Sequence, residues 1–151
     1  MTELSLIHHT FSIERRYRAP IGAVFAAWSD PRAKRRWFAG EEGEHTLDFR
    51  IGGLELSRNR RSNEKMLVFE SRYLDIVEGR RIVYASTLKA DDELTTASIT
   101  SVELDAKRGV TVLVLTESAV FLDGQEQPLW REHGTGDWLT RLGDDPRAAV
   151  R

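Results

Sequence analysis

Polar side chains set among apolar neighbours on strand-like stretches are the residues of this chain with the means to do chemistry. Glu117 sits between Leu115 and Ala119 on one alternation face of "VTVLVLTESAVF". Arg15 shares the face of Ile13 and Tyr17, Arg72 that of Val68, Leu74 and Ile76, and Tyr73 that of Leu67 and Phe69. A charge that faces the interior of a small domain costs several kcal/mol unless a partner or a ligand meets it. Edge positions, solvent-facing positions or internal salt bridges account for such residues. The functional alternative is that two or three of them line a cavity and orient a mainly apolar ligand. If Glu117 meets Arg72 or Arg15 inside, burial raises the carboxyl pKa while the arginine lowers it, and a general acid/base pair becomes conceivable. Alternation places Tyr84 and Ser86 of "RIVYAS", together with Phe49, among the inward-facing residues.

Other chemistries lack their parts. There is no G-x-S-x-G elbow, and Gly134-Thr135-Gly136 stands outside the strand-turn-helix that a dinucleotide fingerprint needs. His8, His9, His45 and His133 show no metal-ligand spacing, and His8-His9 reads as part of a disordered N-terminal segment. No cysteine is present, so disulfides, thiolate nucleophiles and cysteine-ligated zinc are excluded. The expectation is no metal and no cofactor.

Composition sets the frame for these residues. A chain of 151 residues, 40% apolar, is one ordinary domain with a single core. Its 22 basic and 24 acidic residues leave a formal charge of -2, so no global field draws it to nucleic acid or anionic lipid. No stretch approaches the about 18 apolar residues of a membrane span, and the N-terminus lacks a leader pattern. A soluble, cytoplasmic protein is expected, without membrane insertion.

Helix signals fall near the two ends, with strand signals between them, which is an α+β pattern. Residues 10–18 alternate as a half-buried strand. In "APIGAVFAAWSDPRAKRRWF", Ile21, Val24, Phe25 and Trp28 form one helical stripe. Asp30 then caps a second short helix with Pro31 at its first position, carrying Trp37 and Phe38 to its far end. Trp28, Phe25 and Val24 read as core. Trp37 and Phe38 divide evenly between plain packing and pocket lining, and Arg32, Lys34, Arg35 and Arg36 read as a solvated helix face. Residues 45–51 alternate through Leu47, Phe49 and Ile51, a Gly52-Gly53 turn follows, then "LELSRNR" and four strands with tight polar turns. The closing "LWREHGTGDWLTRLG" carries an apolar face of Trp138, Leu139 and Leu142, with Gly143 as a C-cap. Gly134 and Gly136 each weaken that helix by about 1 kcal/mol, and Asp145-Pro146 would end it.

This order, with "FSIERRYRAPIGAVFAAWSDPRAKRRWF", "LDFRIGG", "FESRYLDIVEGRRIVYAS", "TVLVLTESAVFLDG" and "REHGTGDWLTRLG", resembles the helix-grip fold of the START-like (SRPBCC) superfamily. The branch it is similar to is the polyketide-cyclase-like one, related to the C-terminal domain of the activator of the heat-shock protein 90 ATPase. The resemblance runs from about residue 10 to 143, the core of a single domain spanning 1–151. It implies a curved antiparallel sheet of six to seven strands around a C-terminal helix, with a cavity whose mouth lies near the two short helices. Binding of a small, mainly hydrophobic molecule there is the activity implied, with Trp37, Phe38, Phe49, Tyr73, Tyr84, Ser86, Arg15, Arg72, Glu117 and Trp138 as candidate ligand contacts. The alternatives are a cyclase- or hydrolase-type enzyme using the same cavity with Glu117 or a tyrosine as acid/base, and a co-chaperone-like domain docking a heat-shock ATPase. The last ranks lowest, because the name transfers by fold alone. It calls for a basic patch of residues 32–36 with Arg58, Arg60 and Arg61. Exposed edge strands of such a sheet could also pair two copies.

Overall fold

The computed structural model describes residues 4–40, 43–60 and 65–144. Arg61, Asp145 and Pro146, named above, lie outside these residues. Strand β1 (Leu6–Tyr17) leads into helices α1 (Ile21–Ser29) and α2 (Pro31–Lys34), and a π-helical turn (Arg35–Ala39) continues α2. Six strands follow, β2 (Glu44–Leu47), β3 (Leu54–Asn59), β4 (Leu67–Val77), β5 (Arg81–Ala90), β6 (Glu93–Lys107) and β7 (Val110–Leu122), before helix α3 (Pro128–Asp144). All pair antiparallel in one sheet of order β1-β7-β6-β5-β4-β3-β2. The expected α+β helix-grip architecture is thus the one formed, with seven strands.

Local chemistry explains the elements. Asp30 accepts the Arg32 N–H at 2.9 Å as N-cap, and Pro31 opens α2 without losing a needed donor. Asp91-Asp92 and Arg108-Gly109 hold φ > 0 at both turn centres, the backbone that closes tight hairpins. Gly53 is obligatory: a Cβ there would lie 2.0 Å from the Asp48 carbonyl oxygen.

Register assigns every side chain to a face. Phe11, Glu117, Thr100, Tyr84 and Tyr73 pair across the sheet in one inner row, beneath α3. The neighbouring inner rows run through Ala119, Ser98, Ser86, Ser71 and Glu55, and through Phe121, Thr96, Leu88, Phe69 and Ser57. Helix α1 and the π-turn close the other end of the core with Val24, Phe25, Trp28 and Trp37.

Several expectations need correction. His8 and His9 belong to β1, paired with Val120 and Ala119, because β7 extends far enough to hydrogen-bond them. Strand β2 ends at Leu47, so Phe49 and Ile51 lie in the bend before Gly52-Gly53 and Ile51 is exposed. Lys34 is only 1% exposed and is no part of a solvated face. Gly136 and Gly143 are where β1 meets α3: a Cβ would sit 3.3 Å from Arg15 Nη2 and 2.9 Å from the Tyr17 ring.

Candidate functional site

A cavity of about 440 Å³ opens between the π-turn, the β3–β5 end of the sheet and α3. Four elements supply its apolar walls: Phe38 from the π-turn, Phe69 from β4, Leu88 from β5, and Trp130 and Trp138 from α3. Phe69 and Leu88 face it because they share the inner face of Tyr73 and Tyr84 by alternation. The π-turn sets Phe38 against Trp138 at 4.7 Å between ring centroids and against Phe69 at 5.8 Å, while Trp138 and Phe69 lie 6.2 Å apart. Such tilted clusters are favourable aromatic geometry. Trp37 lines the cavity but is otherwise core, donating its indole N–H to the Ala27 carbonyl at 2.9 Å.

Below this aromatic wall lies a buried charge cluster. Lys34 Nζ donates to Glu55 Oε1 at 2.6 Å and to the Tyr73 hydroxyl at 3.3 Å. Tyr73 donates to the same carboxylate oxygen at 2.7 Å, and His45 Nε2 meets the other at 2.7 Å. The ammonium also sits 4.8 Å from the Phe38 ring centroid and 5.0 Å from that of Trp28. Burial pushes the Glu55 carboxyl up, but Lys34's charge and hydrogen bonds from His45, Lys34 and Tyr73 outweigh it and hold it at about 2. Burial pulls the Lys34 ammonium below the ordinary lysine value, with Glu55 opposing. Burial, then the Glu55 charge, pushes the Tyr73 phenol up, so it stays a donor.

A second cluster forms the cavity's other end. Arg131, buried on α3, donates from Nη1 to both oxygens of Glu117 at 3.1 and 3.2 Å and from Nε to Glu126 at 2.8 Å. Its Nη2 donates to Thr96 Oγ1 and, at 3.2 Å, to Glu126. Burial raises the Glu117 pKa against the opposing Arg131 charge. Burial alone would lower Arg131, but Glu117 and Glu126 more than reverse it.

The sequence candidates therefore separate. Trp37, Phe38 and Trp138 meet at the cavity. Tyr73, Tyr84 and Ser86 face inward but lie deeper, Ser86 bonded to Ser71 at 2.7 Å. Phe49 packs on Phe25 and Tyr73, away from the cavity. Arg15 reaches the Gly136 carbonyl at 3.4 Å and ties β1 to α3. Arg72 is on the outer face, its Nη1 on the Gly52 carbonyl at 2.8 Å, as adjacency to the inward Tyr73 requires. Glu117 pairs with neither Arg15 nor Arg72 but with Arg131. Sequence reasoning missed Glu55, Lys34, Phe69, Arg131 and Arg141. Among the described residues no three His, Cys, Asp or Glu side chains converge as metal ligands, and no helix is long and apolar enough to cross a membrane.

Comparisons with known proteins agree with the fold. Residues 18–144 match the family described as activator of Hsp90 ATPase homolog 1-like protein. An uncharacterised protein from Rhizobium leguminosarum is 40% identical, with TM-score 0.90, over 94% of this chain and 96% of that one. The Mll3558 protein from Rhizobium loti is 36% identical, with TM-score 0.88, over 93% and 98%. CalU16 from Micromonospora echinospora, 21% identical with TM-score 0.63 over 95% and 85%, shares the fold. No curated protein matches. The chain belongs to the activator of Hsp90 ATPase homolog 1-like family, within the START-like superfamily.

Proposed function

We propose that the protein binds a small, mainly hydrophobic molecule in the cavity between the π-turn, the sheet and α3. The observation that carries this reading is the aromatic wall of Phe38, Phe69 and Trp138 around about 440 Å³, a volume within the range of small-molecule sites. Trp130, 65% exposed, adds a further indole to the cavity lining from α3. An acid/base role for Glu117 finds less support, since the carboxylate does not line the cavity and both its oxygens accept from Arg131.

Native mass spectrometry of freshly purified protein, denaturing extraction, and a thermal-shift screen against fatty acids, aromatic polyketide-like compounds and sterols test the reading. A retained molecule, or a shift abolished by filling the cavity with Ser57→Phe, is the expected result. Empty protein with no shift across the library would contradict it.

A further inference from the structure

Taking the cavity as a binding site, as proposed above, we infer that its ligand is an apolar, ring-bearing carboxylate whose anionic group is received by Arg141. Among the described residues, Arg131 and Arg141 are the cations that α3 brings to the cavity wall, and an anion there needs one of them with donors to spare. Arg131 cannot serve: each of its three nitrogens already donates to Glu117, Glu126 or Thr96. Arg141 differs. Its Nε donates to the Trp37 carbonyl at 3.2 Å, and its Nη1 and Nη2 make no hydrogen bond or ion pair with any described residue.

The placement of Arg141 is specific. Asp137 and Asp144 lie four residues before and three after it on α3, the spacings at which helical ion pairs form, yet neither forms one. The side chain instead reaches across to the π-turn, and its bond to Trp37 fixes the guanidinium at the cavity wall, three residues along α3 from Trp138. Pinning Nε leaves the Nη pair as a fork whose geometry matches the two oxygens of a carboxylate. An apolar body against Phe38, Phe69 and Trp138 would place an acid group at that fork.

Fluorescence titration with pyrene-1-carboxylate and 1-pyrenemethanol, which share the ring and differ in charge, tests this on wild type, Arg141→Gln and Arg141→Lys. Wild type should bind the carboxylate at least about tenfold more tightly than the alcohol. Arg141→Gln should bring the carboxylate and the alcohol to about equal affinity, and Arg141→Lys should keep part of the preference. Equal binding of both probes to wild type, or an unchanged preference in Arg141→Gln, would overturn the role of Arg141 and leave the cavity reading standing. Failure of both probes to bind wild type would contradict the cavity reading and this assignment together.

Discussion

Lys34 Nζ lies 2.6 Å from Glu55 Oε1 in the interior, each side chain 1% exposed, joining the segment that carries Phe38 to the strand that lines the cavity. Breaking such a pair strands a charge, whereas replacing both partners removes the desolvation cost as well. Lys34→Met should therefore destabilise the fold by about 3–5 kcal/mol. The double variant Lys34→Met/Glu55→Leu should recover part of that loss. Urea unfolding of the four members of the cycle checks this, and a single-variant loss within the error of the method would refute it.

Glu55 also sets the acid limit of the fold. Its folded pKa of about 2 lies below the ordinary value of 4.5, so the unfolded chain binds its proton first. Its contribution is present in full above that ordinary value and disappears as pH falls through about 2. Unfolding free energies measured from neutral to acid pH should drop across this window in wild type. Glu55→Gln should be less stable at neutral pH and show a flatter acid limb; parallel curves would contradict the assignment.

Most of the elements were legible in the sequence because most local signals agreed with the fold, the early end of β2 at Leu47 and the pairing of His8 and His9 in β1 being exceptions. Asp30-Pro31, the period-2 strands and the short polar turns each predict one structure, and that structure forms. The buried charges were illegible because apolar pattern and burial are inverted there. In β3 the Gly52-Gly53 turn sets a register that turns Glu55 inward and leaves Leu54 42% exposed. On α3, Arg131 is buried while Leu129 and Trp130 are largely exposed. Hydrophobic periodicity assigns both pairs to the wrong faces, and only the distant partners Lys34 and Glu117 explain them. Local rules of this kind break most often where a site is built. Arg72 failed for a simpler reason, since neighbours on a strand cannot both face inward.

Two helix glycines should respond oppositely to alanine. Gly134 has open space where a Cβ would go, so Gly134→Ala should raise stability by up to about 1 kcal/mol. At Gly143 the new methyl would press on the Tyr17 ring, which its hydroxyl anchors to the Leu139 carbonyl at 2.8 Å. Gly143→Ala should destabilise despite its better helix propensity. Thermal melts of both variants decide, and equal shifts would contradict the packing described here.

Trp37 and Trp138 should separate stability from binding. Trp37 is 2% exposed and hydrogen-bonded, so Trp37→Ala should cost about 3–5 kcal/mol. Trp138 is half-buried at the cavity, so Trp138→Ala should cost less and weaken ligand binding more than it weakens the fold. Paired melting and binding curves would refute this by giving the reverse order.

The most direct test of the cavity as a binding site is the indole N–H spectrum of the 15N-labelled protein titrated with the neutral probe 1-pyrenemethanol. The chain has four tryptophans, of which Trp130 and Trp138 line the cavity from α3 and Trp28 lies in the core outside it. The account predicts saturable shifts of the Trp130 and Trp138 resonances with Trp28 unmoved. No saturable shift, or one centred on Trp28, would contradict it.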